Sequence, residues 1–281
     1  DNALQEALTR TGFFDTRSER MRKTKGLIAY LQSNCAGIVS EVMFRESFLY
    51  SFARQTKRAV SLLGSCPKGD DATIAAGFTV VERDQVKKWK RGKTVVTMLS
   101  EFKFTMAFEN NPMDGYVTEK IVNAYFANSI PVIFGVGEIA KQSMLQSFNP
   151  AAIVYCDLPM ETIHMRRHQF KKKYESCEDL EGDSDRRSCR FKHVLSFSTE
   201  MDIYWKPCID EIIDIERDNQ RYESMLLEPL LPNNGKLSGI WNFTHLAYVL
   251  KTVYEVIAKG SENYQYNASS WSNGRVFLHN L

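Results

Sequence analysis

Two rhythms of apolar and polar positions alternate along the chain. Short apolar runs recur at 26–31, 59–63, 104–108, 130–134 and 152–155, each too brief for a helix. Such runs suit strands buried on both faces of a parallel sheet. Between them the spacing turns helical. Residues 40–55 carry Phe44, Phe48 and Phe52 at i, i+4 and i+8, an aromatic stripe aimed at a core. Residues 118–126 put Ile121, Val122, Tyr125 and Phe126 on one face, and 138–146 predicts a further helix. Later, 209–215 and 221–227 read as two packed helical segments, with Tyr222, Met225 and Leu226 inward. The clearest amphipathic stretch is 242–258, with Phe243, Leu246, Leu250, Val253 and Ile257 in one stripe and Gly260 past its end. A short amphipathic helix is expected at 2–11, a charged connection at 15–25, and an irregular tail at 261–281. Alternating strand and helix predicts an α/β fold built on a Rossmann-like parallel sheet.

The stretch 104–135, FTMAFENNPMDGYVTEKIVNAYFANSIPVIFG, says most about chemistry. It reads as strand, loop, helix, strand. Pro112 and Gly115 bar regular structure from the loop, and Thr118 is placed to cap the helix. Such a unit points a loop and a helix start out of the carboxyl edge of a sheet, where nucleotides bind. Glu109, Asn110, Tyr116, Thr118, Glu119 and Lys120 all fall at that edge. Taken singly, Glu119 complements the helix dipole and Lys120 is a solvated face residue. Taken together they suit a nucleoside diphosphate: Lys120 facing phosphate, Glu119 accepting from ribose hydroxyls, and exposed N–H groups solvating oxygen.

FEN at 108–110, GYVTEKI at 115–121, AYF at 124–126, IPV at 130–132 and Gly135, followed by FNP at 148–150, strongly resemble the α1,3-fucosyltransferases of glycosyltransferase family 10. LIAYLQSN at 27–34, then Arg45 and Gly64, is similar to that family's first strand, SN turn, arginine helix and second strand. DNQRYESMLLEPLLP at 218–232 and the 242–259 helix are similar to the end of its catalytic region. The resemblance implies a GT-B C-terminal (donor) domain that takes GDP-fucose. It implies inverting transfer of L-fucose to a glycan or glycoprotein acceptor, typically N-acetylglucosamine in α1,3 linkage. It places Arg45 and Lys120 on the diphosphate and adds Asn34, Asn110, Tyr116, Thr118 and Glu119 to the GDP-fucose site. Glu109 joins Arg45 and Lys120 as a catalytic candidate, contacting the sugar or holding the loop. No obligatory cofactor or metal is implied, because fixed cations serve the phosphates. The family's general base lies in an N-terminal acceptor domain, for which the 25 residues before the first strand are too few. That gives a linker or remnant of the N-terminal acceptor domain at 1–25, a donor domain at 26–232 with an insertion near 160–196, and a C-terminal helix and tail at 233–281. Without that acceptor domain, the chain alone is expected to bind donor and not to transfer sugar.

Composition changes this picture little. The chain has 281 residues, a net charge of +2, 43% hydrophobic and 25% charged residues, ordinary for a globular protein. That charge makes no electrostatic case for nucleic acid. No apolar run reaches the roughly 18 residues of a membrane span, so membrane attachment is expected only through a segment absent from this chain. The chain opens on Asp1 without a signal-like stretch, as a partial or trimmed protein does. Cysteines at 35, 66, 156, 177, 189 and 208 fit no zinc spacing and leave the pairing open. Sequons at Asn242 and Asn267 are compatible with a secretory lumen, and eukaryotic relatives of the family imply a Golgi type II membrane protein.

The departing stretch 160–196 reads as a charged surface excursion stapled by Cys177 and Cys189. His164 and His168 stand at i, i+4 with no third metal ligand in view. Asp183-Ser184-Asp185 matches the DxD of metal-dependent GT-A glycosyltransferases but follows no buried strand. Two other classes therefore stand beside the fucosyltransferase: a nucleotide-sugar-binding module without catalysis, and a metal-dependent transferase of another family.

Overall fold

The computed structural model describes residues 26–32, 42–64, 78–80, 95–109 and 117–232. Six strands form one parallel sheet: β1 (Gly26–Gln32), β2 (Val60–Gly64), β3 (Phe78–Val80), β4 (Phe102–Met106), β5 (Ile130–Val136) and β6 (Val154–Leu158). Their spatial order is β3-β2-β1-β4-β5-β6, with β1 pairing in parallel to β2 on one side and β4 on the other. The chain thus winds outward from β1 one way, returns, and winds outward from β4 the other way. This is the doubly wound arrangement, and its direction reverses between β1 and β4. The expected Rossmann-like parallel sheet is present.

Side chains alternate across the sheet with a period of two. Ile28 and Tyr30, Phe104 and Met106, Val132 and Phe134, and Val154 and Cys156 share one core cluster with helices α1 (Val42–Thr56) and α6 (Asp183–Arg217). On the opposite face, Ile133 packs with Ile121, Val122, Tyr125 and Phe126 of α3 (Glu119–Phe126). Ala29 and Leu63 meet Leu99 of the short α2 (Val95–Leu99) there. The remaining helices are α4 (Gly137–Ser147), α5 (Met160–Glu175) and α7 (Asn219–Leu227). Asn128 ends the α3 turn with φ 49°, a left-handed conformation that asparagine tolerates better than most side chains.

The expected elements are found with small shifts of boundary. The largest is β6, expected at 152–155, because Pro150–Ala152 forms a 3-10 turn and delays the strand to Val154. The excursion expected at 160–196 is mostly helical. α5 and the first part of α6 bury Ile163, Phe170, Val194 and Phe197 in the core and expose the charged residues between them. The predicted local staple is present as the Cys177–Cys189 disulfide. A second disulfide, Cys156–Cys208, ties β6 to α6 inside the core. The segment 209–215 is the end of the 35-residue α6, not a separate helix. The expected helix at 242–258 lies outside the described residues, as do Cys35 and Cys66.

α6 is the main partner of α1. Trp205 is fully buried and its indole Nε1 donates to Ser47 Oγ at 2.8 Å, while Ser51 Oγ donates to the Ser198 carbonyl at 3.0 Å. Arg54 grips Asp202 through Nε at 2.9 Å and Nη2 at 2.5 Å. Replacing Ser47 by alanine strands a buried indole N–H, so Ser47→Ala is expected to cost about 1–3 kcal/mol of stability in denaturant unfolding.

Candidate functional site

Two connections flank the β1/β4 crevice, and each leads into a helix that starts at the sheet's carboxyl edge. Only residues 57–59 separate the end of α1 from the start of β2, and only 127–129 separate α3 from β5. Each helix must therefore end at the amino edge and begin at the carboxyl edge. In open α/β sheets that crevice is where ligands bind.

After β4 the chain continues through Ala107 and Phe108 to Glu109, whose carboxylate is buried. It accepts from the Thr118 backbone N–H at 2.7 Å and from Lys120 Nζ at 2.7 Å. The Thr118 hydroxyl lies 2.8 and 2.9 Å from its two oxygens and accepts from Lys120 Nζ at 2.9 Å. Thr118 occupies the N-cap position with extended backbone, but its side chain makes no cap bond to the helix. The expected cap is corrected: the stronger charge-assisted bond to the neighbouring carboxylate wins the hydroxyl. Glu109 thus ties both ends of the 110–117 connection and fixes the Lys120 ammonium at the head of α3. Glu119, in that first turn, is half-buried.

On the other side of the crevice, Arg45 sits in the first turn of α1 and is 1% exposed. A helical arginine defaults to solvent, and its burial here sets it apart from Arg54, the other cation of that helix, which is half-buried. Its neighbour is Tyr30, near the carboxyl end of β1. Burial pushes the Tyr30 phenol well above its usual range, while the Arg45 charge opposes that rise and Glu46 adds to it. Tyr30 lies in the 27–34 stretch but is not among the site residues named from the sequence, and only the tertiary structure brings it within electrostatic reach of Arg45. One helical turn beyond Arg45, the Phe48 ring packs 5.0 Å from Phe108, the residue preceding Glu109. Arg45 and the Glu109–Thr118–Lys120 triad therefore occupy the same edge of the same strand pair, joined through that aromatic contact.

Asn34, Asn110 and Tyr116 lie outside the described residues. The DxD stretch opens α6 after a turn, with no strand leading into it, unlike the context that a metal-binding DxD requires. A shallow cleft of about 510 Å³ lies elsewhere, before β6, between Pro150–Ala151 and Asp218, Arg221 and Glu228 around α7. It is at the amino edge and holds none of the residues singled out above.

Residues 21–152 match the family model described as "Glycosyltransferase family 10 (fucosyltransferase) C-term". The chain is 46% identical over 56 residues to an alpha-(1,3)-fucosyltransferase of Helicobacter pylori, covering 20% of this chain and 11% of that protein. It is 42% identical over 43 residues to a mouse (Mus musculus) 4-galactosyl-N-acetylglucosaminide 3-alpha-L-fucosyltransferase, covering 15% of this chain and 12% of that protein. Among solved structures it is similar to a crystal structure of α1,3-fucosyltransferase with GDP-fucose, at 21% identity and a TM-score of 0.45, over 88% of this chain and 50% of that one. Its matches thus span about a tenth of those two sequence relatives and half of the solved chain. The matched segment begins just ahead of β1 and runs through α4 to the turn before β6, so it contains the whole edge that carries Arg45, Glu109, Thr118 and Lys120. Just under half of the chain, residues 21–152, is therefore similar to the C-terminal region of glycosyltransferase family 10 (fucosyltransferase).

Proposed function

We propose that the crevice between β1 and β4 binds GDP-fucose and that the chain is the donor-binding part of a GT-B fucosyltransferase. The reaction is transfer of L-fucose, with inversion, to a hydroxyl of a glycan acceptor, N-acetylglucosamine in α1,3 linkage. The observation that supports this reading is the placement of two cation-bearing helix starts, Arg45 on α1 and Lys120 on α3, around one topological switch point. As the bond from fucose C1 to the β-phosphate oxygen breaks, the sugar acquires oxocarbenium character and negative charge grows on the departing GDP. The Arg45 guanidinium and Lys120 ammonium stabilise that charge, and preorganised cations are the largest contribution such a site makes. Asn110, Tyr116 and Glu119 place phosphate and ribose, and Asn34, two residues past β1 in the sequence, joins the same site. The Glu109 carboxylate already takes three donors from Thr118 and Lys120, which supports the role of holding Lys120 and the loop rather than touching the sugar. The acceptor oxygen attacks C1 from the opposite face and its proton passes to a base outside the residues named here.

With two fixed cations on the phosphates, the proposal needs no divalent ion. The two disulfides fit an oxidising compartment, in line with a Golgi lumenal enzyme. No helix among the described residues is long and apolar enough to cross a membrane. Calorimetric titration of the chain with GDP, GDP-fucose and UDP tests the reading. One GDP or GDP-fucose site per chain, insensitive to EDTA, with UDP much weaker, is the expected result. A folded chain that takes up no GDP, or takes it up only with a divalent metal, overturns it.

A further inference from the structure

Far in sequence from the switch-point residues, the corner where α5 turns into α6 gathers a second cluster. Cys177 lies in the turn after α5 and is fully buried, while Cys189 and His193 stand four residues apart on α6 and so share one face. The two sulfurs and an imidazole nitrogen of His193 all lie within 4.8 Å of one another. Lys173 faces the same corner as His193. Lys173 is itself 3.7 Å from Glu200, which offsets its repulsion of a cation.

We propose that these three side chains form a zinc site that replaces the Cys177–Cys189 disulfide under reducing conditions, with two thiolates and one imidazole as ligands and the fourth position open to water. Two thiolates and an imidazole are donors of the softness zinc prefers. Ligand atoms around a tetrahedral zinc stand about 3.5–3.8 Å apart; the imidazole nitrogen already lies within 4.8 Å of both sulfurs, which part from bonding distance once the disulfide is reduced. The conversion balances. A dithiol passes two electrons and two protons to the Cys177–Cys189 bond and becomes a disulfide, leaving two thiols on this chain. Zinc then displaces both thiol protons to solvent as the two Zn–S bonds form. The C-x11-C-x3-H spacing matches no zinc motif because the ligands come from a turn and from the next helix. The buried Cys156–Cys208 pair joins no such group of three among the described residues, so the site is specific to this corner. Oxidised, the α5–α6 turn is held by a covalent clip; reduced, it is held by a metal.

The test uses the whole chain, reduced with a phosphine, which takes the oxygen of one water and leaves two thiols without chelating metal. Cobalt(II) is then titrated and displaced by zinc. The expected result is one cobalt per chain with thiolate charge-transfer and tetrahedral d–d absorption, absent before reduction. His193→Ala should weaken binding at least tenfold, and the Cys177→Ser/Cys189→Ser double variant, which keeps the other four cysteines, should abolish it. As a second readout, zinc should restore the melting temperature lost on reduction in the parent chain but not in the double variant. A reduced chain with native circular dichroism that binds no cobalt overturns the proposal, as does equal cobalt binding by parent and double variant.

Discussion

Lys120→Ala is expected to weaken GDP binding about 10–100-fold, the worth of a hydrogen bond to a charged group in a shielded site. In a transfer assay with the full enzyme it should lower turnover by roughly 100-fold or more, because the cation acts most on the charge that develops as GDP leaves. The fold should tolerate the change. The Lys120 side chain is 25% exposed, and without it Glu109 still accepts from the Thr118 N–H and hydroxyl. Arg45 calls for a gentler probe because it is buried. Arg45→Lys keeps the charge but loses the planar fork that grips two phosphate oxygens, and an effect of similar size is expected. Calorimetry with GDP checks both, alongside thermal unfolding of each variant. Wild-type GDP affinity in both variants would remove the diphosphate from this crevice.

The second large effect is on stability. Trp205→Ala should cost about 3–5 kcal/mol, as expected when a fully buried aromatic ring is deleted, and for a domain of this size lower the melting temperature by roughly 6–20 °C. Its ring lies 5.2 Å from Phe48, 6.0 Å from Phe108 and 5.9 Å from Phe134, so one residue fastens α6 to α1, to the end of β4 and to β5. Deletion leaves a cavity among four elements that cannot all relax into it, and Ser47 loses its indole donor. Phe48 and Phe108 flank the residues that carry Arg45 and Glu109, so the same variant should loosen both halves of the crevice and weaken GDP binding as well. A denaturant midpoint corresponding to a loss under about 1 kcal/mol would mean that α6 is not the brace described here.

The sheet was legible because buried parallel strands are short apolar runs and the helices between them carry stripes. The candidate site was legible in part. The cluster from Glu109 to Lys120 is local, and one loop-to-helix connection suffices to collect it. Thr118 was misjudged because cap propensity assumes that no stronger acceptor competes, and Glu109, nine residues earlier, is such an acceptor. The 160–196 stretch was misjudged because its charge density hides the buried apolar residues Ile163, Phe170 and Val194.

By itself, the sequence determined that the chain alternates strand and helix, that polar groups suited to a diphosphate gather after the apolar run at 104–108, and that 177 and 189 are near enough along the chain to pair. Each depends on neighbours within a few turns, where spacing alone dictates geometry. Only the tertiary structure decided the strand order and hence the switch point, the approach of Arg45 to Tyr30, the Trp205 brace, the Cys156–Cys208 bond and the arrival of His193 beside two sulfurs. The Trp205 brace and the Cys156–Cys208 bond join residues 158 and 52 positions apart, and the choice among such pairings is made by burial of a shared core, which no local pattern encodes.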